Sequence, residues 1–560
     1  MIWLDWLVLG LTLTAIVTYG VLGSRRSSGS VNAYLRGGRE LGWVTVGLSV
    51  MATQASAITF LSTPGQAFEE GMGFVQFYFG LPLAMIVVSA VFIPIFYRLD
   101  VYTAYEYLEK RFDARMRFIG AALFLTSRGL AAGITIYAPS IILSTILGWP
   151  IDVLNVGIGL LVIAYTVSGG TAAVSRTQKQ QMIVIMTGMF LAAGMLLYRL
   201  PDEVGLDGAA AVAGALGRME IVDFSFDFES RYNLWSGLAG GFFLALSYFG
   251  TDQSQVQRYL AGKDIVQSRL GLLFNGFVKI PMQAFILFVG VLLFVYHVFS
   301  PAPVFLNEAA WDSVDHARKP AVESRYRTAA EARRASALAF LAARDDGDEA
   351  SLLAARGALE RAEAEVSAAR SEAKSLLRSE GYEDTEDSDY VFIRFVLEAL
   401  PSGIVGLLIA VILSAAMSST ASELNALGTT TMIDIWQRFG TAPKTEQKKV
   451  WLSKALTAMW GLVALAFASF ASLFDNLIEA VNVLGSIFYG TVLGIFVVAF
   501  FLTRVGSQAV FVGAVVGQLT VLGLFFGTQL GFLWYNVVGC LVVAFVASVA
   551  QTVLPKELPS

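Results

Sequence analysis

Residues 51–65 read MATQASAITFLSTPG, and they fall where a membrane helix is due. Leu41 to Val50 before them is largely apolar, and Phe74 to Phe96 after them is strongly so. Between the two stand Thr53, Gln54, Ser56, Thr59, Ser62 and Thr63, then a Pro-Gly pair. In hydrocarbon every backbone amide needs a partner inside the protein, so a broken helix survives only where it is buried or lines a cavity. Broken helices are also how transporters build solute and ion sites near mid-membrane. Hydroxyls and small residues serve equally as glue between helices, so this stretch alone leaves both readings open.

The surrounding chain narrows the choice. Of its 560 residues 56% are hydrophobic and only 15% charged, with a mean hydropathy of +0.64. A soluble protein carries about 25% charged residues, so this is an all-α polytopic membrane protein. One cysteine, Cys540, in an apolar run excludes a disulfide framework and a zinc site. His297 and His316 are the only histidines, which argues against metal catalysis, and no G-x-x-x-x-G-K-[ST] loop offers an ATP motor. Neither an enzyme nor a nucleic-acid binder is expected. The first apolar run has Asp5 ahead of it and Arg25-Arg26 behind. A cleaved signal peptide shows the reverse order, so this run is expected to stay as a helix.

At about 20 apolar residues per crossing, thirteen spans are expected: 3–23, 43–66, 73–97, 118–147, 151–168, 180–199, 232–257, 270–299, 391–421, 450–473, 476–502, 507–528 and 531–554. Arg25, Arg26, Arg36 and Arg39 share a side with Arg98, Lys110, Arg111, Arg115 and Arg117. Arg176, Lys179, Arg258, Lys263, Arg269, Arg438, Lys444, Lys448, Lys449 and Arg504 fall there too. The opposite short loops hold Arg199, Arg218 and Arg231. This asymmetry predicts a multi-pass protein of the cell (inner) membrane, N-terminus outside and C-terminus cytoplasmic. Residues 319–379 are instead rich in Ala, Arg and Glu, with helix formers on either side of a DDGD turn. They predict an extracytoplasmic helical hairpin, a solvated spacer or an arm where a protein partner docks.

Two more polar stretches sit at bilayer depth. Residues 414–425 read SAAMSSTASELN, and on a helix the Ala415 carbonyl lies beside the hydroxyls of Ser418 and Ser419. Such hydroxyls ordinarily bond back to the carbonyl four residues earlier; turned outward they offer neutral hard oxygens, which suit a small hard cation. A break near Ala52 to Ala55 would add freed carbonyls. The other stretch, SYFGTDQSQVQRYL at 247–260, holds Asp252 and Gln253. With Arg128 and Lys279 these are intramembrane polar groups, functional candidates by default. Arg128 can alternatively snorkel toward the cytoplasmic end.

SVMATQASAITFLSTPG, VYTAYEYLEKRF, GTDQSQVQRYL and SAAMSSTASELN, in that order, resemble the motifs of the sodium/solute symporter family. The resemblance covers essentially the whole chain apart from 319–379. It extends to bacterial sodium–sialic acid and sodium–galactose transporters and to animal sodium–monocarboxylate, multivitamin and iodide carriers. It implies a leucine-transporter-type fold, two inverted five-helix repeats at 42–200 and 232–503. An extra helix within 1–30 would precede them and two more within 506–554 would follow. It implies a sodium site at the carbonyls of Ala52, Ala55 and Ala415 and the hydroxyls of Ser418 and Ser419. It places solute-lining positions at Gln54, Ser56, Thr59, Tyr78, Ala131, Tyr248, Phe249 and Lys279; Arg128, Asp252 and Gln253 join them as candidates from the residues themselves. Two positions depart from the sialic acid carriers. Ala131 stands where they hold the carboxylate with arginine, with Arg128 one turn earlier. Gln178 and Ala421 replace an aspartate and a serine of their second sodium site.

The expected function is sodium-driven import of a small polar or anionic solute (a monocarboxylate, a sugar or a sugar acid) by alternating access. The expected partners are that solute, sodium and membrane lipid, and no cofactor beyond the coupling ion. A proton-coupled carrier of the same fold is the near alternative, but the sodium cluster has no carboxylate to titrate. A symporter-like sensor would need a partner, because the sequence ends at QTVLPKELPS soon after the last span. A channel would need rings of carbonyls or charges that do not appear.

Overall fold

Backbone amides in hydrocarbon find partners within their own helix, and the apolar runs of this chain are helical. The computed structural model describes residues 2–24, 31–36, 39–314, 318–382, 385, 387–440, 445–470 and 477–554. Arg25, Arg26, Lys444, His316 and the tail 555–560 lie outside the described residues. Among the described residues nine helices are long and apolar enough to cross a membrane, and Trp3–Ile16 and Ile151–Ala164 are shorter apolar stretches. The two expected spans that remain, 43–66 and 232–257, are the two that break.

The first element, α1 (Trp3–Ser24), is followed by the first broken pair, α2 (Trp43–Gln54) and α3 (Ala57–Glu70). Between them Ala55 (φ −88°, ψ 73°) and Ser56 (φ −80°, ψ 179°) leave helical geometry. Pro64 sits inside α3, facing Gly290, where a Cβ would come 2.3 Å from the Pro64 carbonyl oxygen. A 3-10 turn, Gly71–Tyr78, leads to Leu81–Val87, a π turn at Val88–Phe92, and Ile93–Leu99.

Next come α4 (Ala114–Leu147) and α5 (Ile151–Arg199). Here the expectation of a loop between spans 151–168 and 180–199 is corrected: 49 residues form one unbroken helical run. The intervening segment has no proline, and Ala172, Ala173, Arg176, Gln178 and Lys179 hold helical backbone readily. After α6 (Gly205–Ala215) comes the second broken pair, α7 (Gly241–Thr251) and α8 (Gln253–Leu260), interrupted at Asp252 (φ −78°, ψ 119°). The long α9 (Ile265–Phe299) follows.

The hairpin forms as α10 (Lys319–Asp346) and α11 (Glu349–Ser379), turning at Gly347 (φ 73°) and closing on Val322, Tyr326, Ala330, Val366, Ala369 and Leu377. It is not the freely solvated arm expected. Arg333 donates to the His297 carbonyl at 2.9 Å, Arg344 pairs with Asp207 at 3.0 Å, and Leu341 packs by Gly208. Its Arg-rich face therefore lies on α6 and on the C-terminal ends of α3 and α9.

Span 391–421 is also corrected. Val391–Ala399 ends before Pro401, and α12 (Ile404–Thr430) restarts after Gly403 (φ 88°). Proline lacks the amide that would continue the helix. The Asp5 carboxylate of α1 accepts from the Gly403 amide at 2.6 Å, capping the new start. The remaining helices are α13 (Glu446–Ala468), α14 (Leu477–Phe501), α15 (Ser507–Gly527) and α16 (Leu533–Val553). At the centre α12 packs against α1, α4, α5 and α13.

Candidate solute and ion site

The first break and α7, the helix leading into the second, line one cavity of roughly 670 Å³, part of it open to solvent. From the first break come Gln54, Ser56, Ile58 and Thr59; Phe77 and Tyr78 follow from the 3-10 turn. Arg128 and Thr135 enter from α4, Leu244 and Tyr248 from α7, Glu423 from α12, and Asn482 and Tyr489 from α14. Aromatic walls with a few convergent polar groups are the usual make-up of a small-molecule site.

Arg128 does not snorkel. It is 3% exposed, and its Nε donates to Asp252 at 3.1 Å while Nη1 donates to Glu423 at 3.0 Å. Nη2 contacts both Asp252 and the Tyr489 hydroxyl, and the guanidinium lies 5.1 Å from the Tyr248 ring centroid. The Tyr489 hydroxyl donates to Asp252 at 3.1 Å, and Thr135 donates to the other Glu423 oxygen at 3.0 Å. One guanidinium therefore meets two carboxylates. A buried charge is tolerable only when it is paired and hydrogen-bonded, and each member of this set is.

Of the positions singled out in the sequence, Gln54, Ser56, Thr59, Tyr78, Arg128 and Tyr248 line the cavity. Ala131, Phe249, Asp252, Gln253 and Lys279 are not among its lining residues. Asp252 acts through Arg128. Gln253 is turned away: its amide donates to the Tyr102 carbonyl at 2.9 Å and its oxygen accepts from the Ala104 amide at 3.1 Å. With Tyr105, whose hydroxyl donates to the Thr251 carbonyl at 2.8 Å, this clasps the VYTAYEYLEKRF segment onto the second break. Lys279 is fully buried, its ammonium 5.6 Å from the Tyr78 ring centroid and so behind the cavity wall. Phe249 stacks edge-on against Tyr248, and Ala131 is buried. Glu423, Thr135, Asn482 and Tyr489 escaped the sequence reading. Glu423 was signalled by its charge at bilayer depth in SAAMSSTASELN; Asn482 and Tyr489 lie in an apolar span with no motif.

The proposed ion ligands divide between α12 and the first break. Ala52, Ala55, Ala415, Ser418 and Ser419 are all buried. The last carbonyls of a helix lack intrahelical partners, which leaves those at the end of α2 for other work. Ser419 donates to the Ala415 carbonyl at 3.0 Å, whereas the buried Ser418 hydroxyl has no hydrogen-bond partner among the described residues. An orphaned neutral oxygen of this kind fits a hard monovalent cation. Nearby, Gln178 accepts from Ser49 at 2.6 Å and donates to Thr53 at 3.1 Å and to Ser422 at 2.8 Å. A neutral amide thus ties together hydroxyls of α2 and α12 where the sialic acid carriers are expected to hold an aspartate.

Known proteins resemble this chain in sequence and in fold. The profile of the "Sodium:solute symporter family" matches residues 34–317 and 380–517, either side of the hairpin. The sodium/iodide cotransporter of Homo sapiens is 33% identical over 276 residues, 49% of this chain and 42% of that protein. The sodium-coupled monocarboxylate transporter 1 of Xenopus laevis is 26% identical over 92% of this chain and 70% of its own length. The sodium/sialic acid symporter NanT of Aliivibrio fischeri is 25% identical over 100% of this chain and 94% of its own. The solved structure of a Na+-coupled sialic acid symporter, substrate-bound and outward-open, superposes with a TM-score of 0.76 at 23% identity over the whole of both chains. The fold is thus the leucine-transporter type expected.

Proposed function

The chain belongs to the sodium:solute symporter family, as a multi-pass sodium-coupled solute carrier and not an enzyme, and from that premise we propose that it imports a small, neutral, hydroxyl-bearing solute with one sodium ion per cycle. The site would be Gln54, Ser56, Thr59, Tyr78, Tyr248 and Asn482 for the solute, with Ala52, Ala55, Ala415, Ser418 and Ser419 for sodium. The repeats would run over 42–200 and 232–503, in the cell (inner) membrane, N-terminus outside and C-terminus cytoplasmic, and solute would pass by alternating access.

One observation carries the choice of solute: the buried set of Arg128, Asp252 and Glu423 holds one cation against two carboxylates. One bound sodium balances that set, and a neutral solute leaves the balance intact. An anion would have to win Arg128 from both carboxylates. The second reading, an anionic solute, is favoured by the substrates for which the relatives are named: iodide, monocarboxylate and sialic acid.

The deciding experiment is a thermal-shift screen of purified protein against sugars, polyols and monocarboxylates, with and without sodium, since a ligand of the folded state raises its melting temperature. A sodium-dependent shift with a neutral polyol or sugar supports the proposal. A shift confined to carboxylates, and abolished by Arg128→Gln, overturns it in favour of the anion.

A further inference from the structure

A second cavity, of roughly 750 Å³ and partly open to solvent, lies between the hairpin and the C-terminal ends of α3 and α9. Its walls carry four cations, Arg218, Arg333, Arg370 and Lys374, against two carboxylates, Glu69 and Glu363. Asp387, which binds Arg370 at 2.7 Å, raises the negative count to three. Arg333 pairs closely with Glu363 at 2.8 Å, while Arg218 stands 3.8 Å from Glu363, and Arg370 and Lys374 stand 3.9 and 3.8 Å from Glu69. Burial lowers Arg218 below the ordinary arginine value, the mark of a cation short of negative charge. Arg218 and Arg370 lie over the Phe294 and Phe68 rings, at 4.7 and 5.7 Å, which holds their planar forks in place.

Two polar groups of this cavity are at least nine-tenths buried and lack a hydrogen-bond partner among the described residues: Arg333 Nε and His297 Nε2. Arg333 Nε is a donor. His297 is different, because its Nδ1 lies 3.0 Å from the Ser300 carbonyl, which can only accept. The ring must donate there, so in the neutral ring Nε2 is left as an acceptor. Its buried, unpartnered atoms are therefore a donor suited to a carboxylate, Arg333 Nε, and an acceptor suited to a hydroxyl, His297 Nε2.

We propose that this cavity is a second binding site, for a small hydroxy-carboxylate anion, distinct from the solute site at the two breaks. The helix α3 lines both, with Thr59 at one and Glu69 at the other. Ten residues at 1.5 Å rise separate them by about 15 Å, so an anion held at Glu69 rests against the C-terminal end of the helix that forms the solute site.

Malate and succinate differ by a single hydroxyl and make the discriminating probes. The full-length protein in lipid nanodiscs is melted in sodium-free buffer, with ionic strength held constant by chloride. Malate is expected to raise the melting temperature saturably, with succinate weaker by about fivefold or more. Arg218→Gln combined with Lys374→Gln should weaken malate by about tenfold, while Arg128→Gln, in the other cavity, should leave its midpoint unchanged. No saturable shift overturns the proposal, as does an equal shift with succinate or sulfate, or a malate effect lost with Arg128→Gln alone. If the double variant does not fold, Lys374→Gln alone decides, with a weakening of about threefold expected and an unchanged midpoint refuting the site.

Discussion

The two broken helices share a backbone device and differ in what they do with their polar groups. At Ala55–Ser56 the N-cap serine of α3 makes no side-chain capping bond, and the buried Gln54 Oε1 has no hydrogen-bond partner. At Asp252 the cap is fully engaged: one oxygen accepts from the Ser254 amide and hydroxyl, the other from Arg128 and Tyr489. Leaving a buried polar group unmade costs about 1–3 kcal/mol, so the first break is held ready for something that completes it. The second break is complete already. The first is built to bind, and the second to hold the charged framework around which binding occurs.

The sharpest way to break this comparison is Asp252→Ala. It strips Arg128 of one of its two carboxylates and α8 of its cap. Removing one partner of a buried ion pair costs about 3–5 kcal/mol, so a large fall in melting temperature and loss of uptake are expected. A variant as stable as the parent would show that the second break is not a framework. On α12, across from the first break in the proposed ion site, Ser418→Ala with Ser419→Ala should do the opposite. Only the Ser419 hydroxyl's shared bond to the Ala415 and Ala416 carbonyls is lost, so stability falls by about 1 kcal/mol, while sodium-stimulated uptake disappears. Unchanged sodium dependence in uptake assays would remove these residues from the ion site.

Smaller effects sharpen the picture. Gly290→Ala places a methyl 2.3 Å from the Pro64 carbonyl oxygen. Overpacking of this kind typically costs about 1–3 kcal/mol, and it should push on α3 without touching α8. A melting curve unchanged from the parent would mean that α3 yields freely. The smallest expected change concerns ion number. With Gln178 in place of a carboxylate, sodium activation should have a Hill coefficient near one. Restoring the charge by Gln178→Asp with Ala421→Ser supplies roughly 4 kcal/mol of attraction at about 4 Å and an effective dielectric near 20, and should raise the coefficient. A value clearly above one in the parent protein, matched by charge-to-flux ratios, would refute single-ion coupling.

Both breaks were legible in the sequence because hydroxyls, amides and an aspartate at bilayer depth have few explanations. The hairpin was legible from its helix formers and DDGD turn, but not its docking, since Arg333 and His297 meet across chain positions that no local pattern links. Arg128 was visible as a buried charge, yet its saturation was not. Glu423 had been read past among serines, and Tyr489 lies in a span indistinguishable from lipid-facing helix. The restart after Pro401 could have been read from Pro-Ser-Gly at 401–403, where the fixed proline ring and a glycine at positive φ end one helix before the next begins. The continuity of α5 runs against its local signal, because Gly169-Gly170 and the polar residues after them read as a loop, yet the helix carries through them.

The bond from Gly403 to Asp5 joins residues 398 apart in the chain. A ribosome adding about 5–20 residues per second needs roughly 20–80 s to supply that partner. Throughout that interval α1 stands in the bilayer without its clasp, its carboxylate still seeking the amide it will cap. Membrane insertion of this chain therefore has a built-in order, in which α1 can pack on α5 long before its carboxylate finds the amide it caps. Asp5→Asn should accordingly act on assembly, lowering the yield of folded protein and leaving the sodium dependence of the molecules that do fold as it was. A changed sodium dependence in those molecules would give α1 a part in transport itself.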